Sequence, residues 1–162
     1  MNIVWFKRDL RMQDHAPLFH ASKKKNVLLL YVFEPELWEQ NDMSSRHFSF
    51  IKQAVLDLNN ILSLSNNELC IKVGDIIEVF DALNKTETIE KIFSHEETGN
   101  AWTFSRDIRV REWSKNNNVE WIEYPQNGVV RGLKSRDGWS KKWKSFMSSP
   151  ILTLPKNFNF MY

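Results

Sequence analysis

Five short apolar runs, separated by segments with helical spacing, constrain this chain more than any other feature. The runs span residues 2–6, 26–33, 69–73, 91–95 and 119–124. All are short and mostly apolar on both faces, the pattern of strands covered on both sides in a parallel sheet. The clearest helix between them is 44–62, where Phe48, Ile51, Val55, Leu58 and Leu62 recur at three- and four-residue steps and form one apolar stripe. Ser44 or Ser45 is placed to cap it. Residues 75–83 and 102–116 supply two more helices, and 15–24 a first one whose Pro17 fits only in the opening turn. Repeated strand and helix units of this length predict an α/β fold, a Rossmann-like five-stranded parallel sheet with helices on both faces. No internal repeat interrupts the pattern.

A chain of 162 residues with 42% hydrophobic content is long enough to bury a core as one domain. No apolar run reaches the roughly 18 residues of a membrane span, and the start, MNIVWFKRD, lacks a secretory apolar stretch. A soluble, cytoplasmic protein is the expectation. The single Cys70, in the apolar run LCIKV, reads as a core thiol.

The net charge of +2 hides an asymmetry. Residues 1–127 hold 15 Lys and Arg against 19 Asp and Glu, a net of −4, whereas 128–162 hold 7 against 1, a net of +6. Past Pro125 the Gly, Pro and Ser content rises and apolar periodicity weakens, so 1–127 is expected to be the α/β domain. Residues 128–162 are expected to be a linker with one short helix at 139–147. So long a segment outside regular structure suits a surface that lies against another body. Its basic character suits nucleic acid, an acidic domain or solvent alike.

In an open parallel sheet, ligands bind at the carboxyl ends of strands where strand order reverses. The loop after the first strand, 7–14, belongs there, and it carries Lys7, Arg8, Asp9, Arg11 and Asp14. It contains no GxGxxG and no Gly-rich loop ending in Lys-Ser/Thr, which removes the ordinary dinucleotide and phosphate fingerprints. On spacing alone its charges read first as a paired, solvated loop tying strand to helix.

The stretch VWFKRDLRMQDHAPL resembles the amino-terminal signature of the DNA photolyase and cryptochrome family, W-F-R-x-D-L-R followed by an Asp and a small, apolar helix start. Trp5, Phe6, Asp9, Leu10, Arg11, Asp14 and Leu18 stand in that arrangement, with Lys7 and Arg8 between Phe6 and Asp9. The resemblance continues in order through LLLYVFEPELW, RHFSFIKQAVLDLNNIL, KVGDIIEVFDAL, HEETGNAWTFSRD and WIEYPQNGVV. It implies an antenna domain that holds a light-harvesting folate, deazaflavin or flavin. That chromophore passes energy to FAD in a carboxyl-terminal helical domain, to which 128–162 would lead. The whole protein would then be a deoxyribodipyrimidine photolyase, a carbon-carbon lyase that repairs pyrimidine dimers in damaged DNA. The isolated domain would be catalytically silent. A cryptochrome-type blue-light sensor shares this domain, and a stand-alone nucleotide- or flavin-binding protein on a similar fold is the remaining alternative.

The same resemblance points to site residues. Phe33 and Glu34 end the second strand on the ligand edge, with Arg46 opening the long helix beside them. A chromophore that is flat and partly anionic suits such a set of aromatic wall, hydrogen-bond partner and basic group. In the loop after the fourth strand, Glu97 and Asn100 are placed to hold a ring edge, since a carboxylate accepts two N–H bonds, and Trp102 to stack. Arg8, Asp9 and Arg11 either order the first loop through ion pairs or contact the chromophore. Arg106 and Asp107 match the R-D pair of the family block or form a helix-start salt bridge. His15, His20, His47 and His95 show no spacing suited to a shared metal. No nucleophile and base arrangement emerges, and the seven tryptophans mostly occupy core positions.

Overall fold

A computed structural model describes residues 1–154 and Phe160. The elements run β1 (Asn2–Phe6), α1 (Ala16–Ala21), β2 (Val27–Phe33), α2 (Pro35–Trp38), α3 (Ser45–Ser63), β3 (Leu69–Val73), α4 (Ile76–Thr86), β4 (Lys91–His95), α5 (Ala101–Asn116), β5 (Glu120–Tyr124) and α6 (Trp139–Met147). The five strands form one parallel sheet in the order β3-β2-β1-β4-β5. Strand order reverses between β1, which continues outward to β2, and β4, which begins the other half. The carboxyl ends of those two strands frame the crevice.

Alternation along β1 divides the core in two, because successive strand side chains point to opposite faces. Ile3 and Trp5 pack with Leu28, Leu30, Ile76, Phe80, Ile92, Val110 and Trp113 under α4 and α5. Val4 and Phe6 pack with Leu18, Leu29, Val55, Leu58, Leu62 and Phe93 under α1 and α3. The ring of Phe80 meets Trp5 edge-on at 5.6 Å between centroids, a favoured arrangement of aromatic quadrupoles. Cys70 packs partly buried against the first cluster.

The helix starts follow local chemistry. Ser44, Asp75 and Asn100 accept backbone N–H bonds as caps of α3, α4 and α5. His15 caps α1, its Nδ1 accepting from Leu18 N at 3.1 Å, with Pro17 in the first turn as expected. The structure adds α2, a single turn that the pattern of apolar spacing was too short to reveal. Not every strand is covered on both faces. The edge strands β3 and β5 are partly open, and Val73 is 72% exposed, because an edge strand has a neighbour on one side only.

The α6 helix forms over the expected residues. Beyond it the chain touches the domain itself: Asp14 N donates to Leu152 O at 3.0 Å and Phe160 N to Asn67 Oδ1 at 2.7 Å. Phe160 is buried in the second cluster, against which Leu154 also packs. Residues 155–159, 161 and 162 of the expected linker lie outside the described residues. Among the described residues, no helix is long and apolar enough to cross a membrane.

Candidate functional site

A cavity of about 510 Å³ opens at the carboxyl ends of β1 and β2, where it meets the loop after β4. Trp5, Phe6, Lys7 and Arg8 enter it from the end of β1, and Tyr31, Val32 and Glu34 from the end of β2. Leu37 and Trp38 of α2, Asp42 and Met43 of the following loop, and His47, Phe50 and Ile51 of α3 form the outer wall. Glu97, Gly99, Asn100, Thr103 and Arg106 close the remaining side. The lining is aromatic and aliphatic with a few convergent polar groups, the usual make-up of a small-molecule site.

One wall is a buried charge network. Arg106 sits on α5 with its side chain 3% exposed and donates through Nη1 to Glu34 Oε2 at 3.0 Å and through Nε and Nη2 to Asp107 Oδ1 at 3.0 and 2.9 Å. Lys7 Nζ donates to Asp107 Oδ2 at 3.0 Å. Both cations lie over the Trp5 ring, Lys7 Nζ at 4.4 Å and the Arg106 guanidinium carbon at 4.8 Å from its centroid. Arg106 Nη2 also lies 3.5 Å from Glu97 Oε2, and Glu97 pairs with Arg8 at the exposed rim. Burial works against the Arg106 charge, but Glu34, Asp107 and Glu97 outweigh it and raise its pKa further. Burial pulls the Lys7 ammonium down, Asp107 only partly offsetting it.

Glu34 is the exception in this network. Burial pushes its carboxyl up to about 7, against the pull of Arg106. Its Oε1 is buried with no hydrogen-bond partner among the described residues, and the same holds for Trp38 Nε1. Native proteins pair nearly all such atoms, so these two are exceptions within the wall of the cavity.

Gly99 fits the rim for a steric reason. A Cβ there would stand 2.7 Å from Thr103 Oγ1 and 3.1 Å from Arg8 Nη2, so a larger residue would press on the Arg8–Glu97 pair. Asn100 next to it caps α5 through Oδ1, while its Nδ2 donates to Asp42 Oδ1 at 2.9 Å. That bond ties the β4 loop to the segment between α2 and α3.

Of the residues singled out from the sequence, Arg8, Glu34, Glu97 and Asn100 line the cavity. Asp9, Arg11, Phe33, Arg46 and Trp102 are not among its lining residues. Phe33 packs instead on Tyr31 and Phe48, with centroids at 4.9 and 5.7 Å. Arg11 donates to Asp14 O at 3.0 Å and borders a shallow polar surface with Asn127. Trp102 Nε1 donates to Glu36 Oε2 at 3.3 Å, and Arg46 is exposed at the start of α3. Arg106 and Asp107 do pair with each other, but a full turn inside α5 and buried, not at its exposed start.

Asp9 has a different task. Its Oδ1 accepts from Lys7 N at 2.7 Å, and its Oδ2 lies 2.5 Å from His95 Nδ1 and 2.8 Å from His15 Nε2. The three residues converge from the β1 loop, the α1 cap and the end of β4, all buried. Spacing in the sequence concealed this convergence, since 80 positions separate the two histidines; only parallel pairing of β1 with β4 unites them. Burial alone would raise the Asp9 pKa, but the bonds from His15 and His95 hold it well below the usual carboxylate range. Lys7 and Trp38 are cavity residues that sequence reasoning passed over. The W-F-K run next to a strand end pointed to Lys7, whereas Trp38 gave no signal apart from its place in LLLYVFEPELW.

The family model for DNA photolyase matches residues 2–143. This chain belongs to the DNA photolyase family. A deoxyribodipyrimidine photo-lyase of Salmonella typhimurium is 32% identical over 93 residues, 56% of this chain and 19% of that protein. A cryptochrome DASH of Gloeobacter violaceus is 29% identical over 115 residues, 67% of this chain and 23% of that protein. The photolyase-family chain thus spans about a fifth of the curated relatives it matches. An archaeal photolyase of Sulfolobus tokodaii, solved with two FAD molecules, superposes with a TM-score of 0.78 at 21% identity, covering 99% of this chain and 39% of that one. A cryptochrome of Synechocystis superposes at 0.80 with 19% identity, covering 99% and 37%. Those two likenesses show the photolyase-type α/β fold.

Proposed function

We propose that this chain is the antenna-binding α/β domain of a deoxyribodipyrimidine photolyase and that the cavity between β1, β2, α3 and α5 holds the light-harvesting chromophore. The observation that carries the reading is the cavity itself: Trp38, Met43, Phe50 and Ile51 form an apolar wall on one side, and Glu34, Glu97, Asn100 and Arg106 supply polar groups on the other. Flat rings gain from stacking on such walls, and the polar groups of the lining supply the hydrogen bonds that fix orientation. The chromophore, when bound, supplies absorption of near-ultraviolet or blue light and transfer of the excitation energy. The chain's own residues bind and orient it and keep water from one face. Arg8 and His47 at the rim suit an anionic substituent.

The Sulfolobus photolyase, solved with two FAD molecules and implicating a novel light-harvesting cofactor, supports a flavin as one occupant. In the whole protein, catalytic FAD and damaged DNA would belong to a carboxyl-terminal helical domain, with 128–162 as the segment leading to it. Similar likeness to cryptochrome DASH supports a blue-light sensor as the second reading.

The test is a binding titration of the chain with FAD, FMN, a 5-deazaflavin and a methenyl-folate, followed by absorbance and fluorescence. Stoichiometric binding of one of them, lost on Phe50→Asp at the cavity wall, is the expected result. Failure of all four to bind at micromolar concentration overturns the antenna reading.

A further inference from the structure

Resting on that reading of the cavity, we infer that residues 35–43 form a strap over the chromophore, latched to the start of α5 through Asp42 and Glu36, and that the ring enters and leaves by releasing this strap. The strap is stitched into one body. Leu37 N donates to Glu34 O at 3.1 Å, Gln40 N to Leu37 O at 3.3 Å and Met43 N to Gln40 O at 2.9 Å, while Gln40 Nε2 returns to Glu36 O at 2.9 Å. Its two ends are anchored. Buried Glu34 is held by Arg106 Nη1 at 3.0 Å, and Ser44 caps α3. Between those anchors no residue is buried, so little apolar packing resists a local opening, as is usual for parts that move to admit a ligand.

Leu37, Trp38, Asp42 and Met43 of the strap nonetheless line the cavity, and so do Gly99, Asn100 and Thr103 at the start of α5. Two exposed side-chain contacts join these walls. Asn100 Nδ2 donates to Asp42 Oδ1 at 2.9 Å and to Oδ2 at 3.1 Å, and Trp102 Nε1 donates to Glu36 Oε2 at 3.3 Å. Both lie between side chains, so they part without unfolding either helix. Asp42 and Asn100 line the cavity and bond each other, and a flat ring passing between strap and α5 has to separate them. The latch closes the ligand-free chain and closes again over the ligand. Its bonds therefore cancel from the affinity and act on the barrier, which is the same barrier for entry and for exit.

The probe is lumiflavin, the bare flavin ring, with association and dissociation rates read by stopped-flow fluorescence on the whole chain. The variant carries Asp42→Ala with Trp102→Phe, which removes both contacts and leaves the Asn100 Oδ1 cap of α5 in place. Both rates should rise about ten-fold, the worth of two exposed hydrogen bonds, with the dissociation constant unchanged within roughly two-fold. Trp102→Phe alone should raise both rates by about three-fold. Urea midpoints should stay at the parent value, since exposed contacts add little to stability. Unchanged rates overturn the inference and leave the antenna reading standing. A rise in dissociation alone does the same, because it places Asp42 on the ligand and not on a latch. If lumiflavin fails to bind, whichever of the four chromophores does bind takes its place in the same measurement, and binding of none overturns both readings.

Discussion

Lys7 Nζ and Asp107 Oδ2 stand 3.0 Å apart, 100 positions distant in sequence, with side chains only 4% and 6% exposed. The pair fastens the end of β1 to the second turn of α5 and thereby fixes one wall of the cavity. A buried charge that loses its partner is far more costly than the intact pair is beneficial.

Lys7→Met should consequently destabilise the chain by about 3 kcal/mol, near the lower end for broken buried pairs because Arg106 still holds Asp107. Urea unfolding at pH 7 checks it. A loss below about 1 kcal/mol would mean that water reaches Asp107 in solution.

Glu34 bears the opposite relationship to stability. Its carboxyl is raised from 4.5 to about 7, so between those values the folded chain binds more protons than the unfolded one. Stability therefore falls as pH rises through that window. Glu34→Gln should be more stable than the parent chain at pH 8 by about 1–3 kcal/mol, with the gain shrinking toward zero at pH 4.5. Thermal melts at the two pH values check this; a lower melting temperature at pH 8 would show that the Arg106 pair outweighs the burial cost.

Burial lowers the His15 pKa from 6.5, Asp9 only partly opposing it. The neutral imidazole is the folded form, so its contribution is present above pH 6.5 and is lost as pH falls through the depressed folded value. His15→Asn keeps a competent helix cap but does not titrate. The parent chain should lose stability relative to this variant between pH 7.5 and 5, as urea midpoints at the two pH values would show. A constant difference would mean that the imidazole stays paired in both protonation states.

Asn100 both caps α5 and bonds Asp42 across the cavity rim. Asn100→Ala should cost about 1 kcal/mol through the lost cap. Asn100→Asp should keep the cap yet set a carboxylate against Asp42, speeding lumiflavin release at nearly unchanged stability. Stopped-flow release and urea melts separate the two effects, and equal release rates in both variants would assign Asn100 a capping role alone.

Much of this was legible in the sequence. Apolar period and length gave five strands and their order along the chain; Ser44, Asp75 and Pro17 marked helix starts, because those signals are local and act within a turn. The family block in residues 3–18 pointed to Arg8, and the strand-end and loop blocks to Glu34, Glu97 and Asn100. Phe33, whose apolar ring is better buried against Tyr31 and Phe48, illustrates the limit. Strand alternation turned its neighbour Glu34 to the cavity.

By itself, then, the sequence determined which segments form strands and helices and where several helices start, since periodicity and capping depend on residues a few positions apart. Only the tertiary structure decided that Asp9 belongs with His15 and His95, that Lys7 and Arg106 share Asp107 over the Trp5 ring, and that Glu34, Trp38 and Arg106 line one cavity. Those relationships join residues brought together by parallel crossovers, and the energy of a buried charge or an unpaired atom depends on the surroundings that such crossovers create.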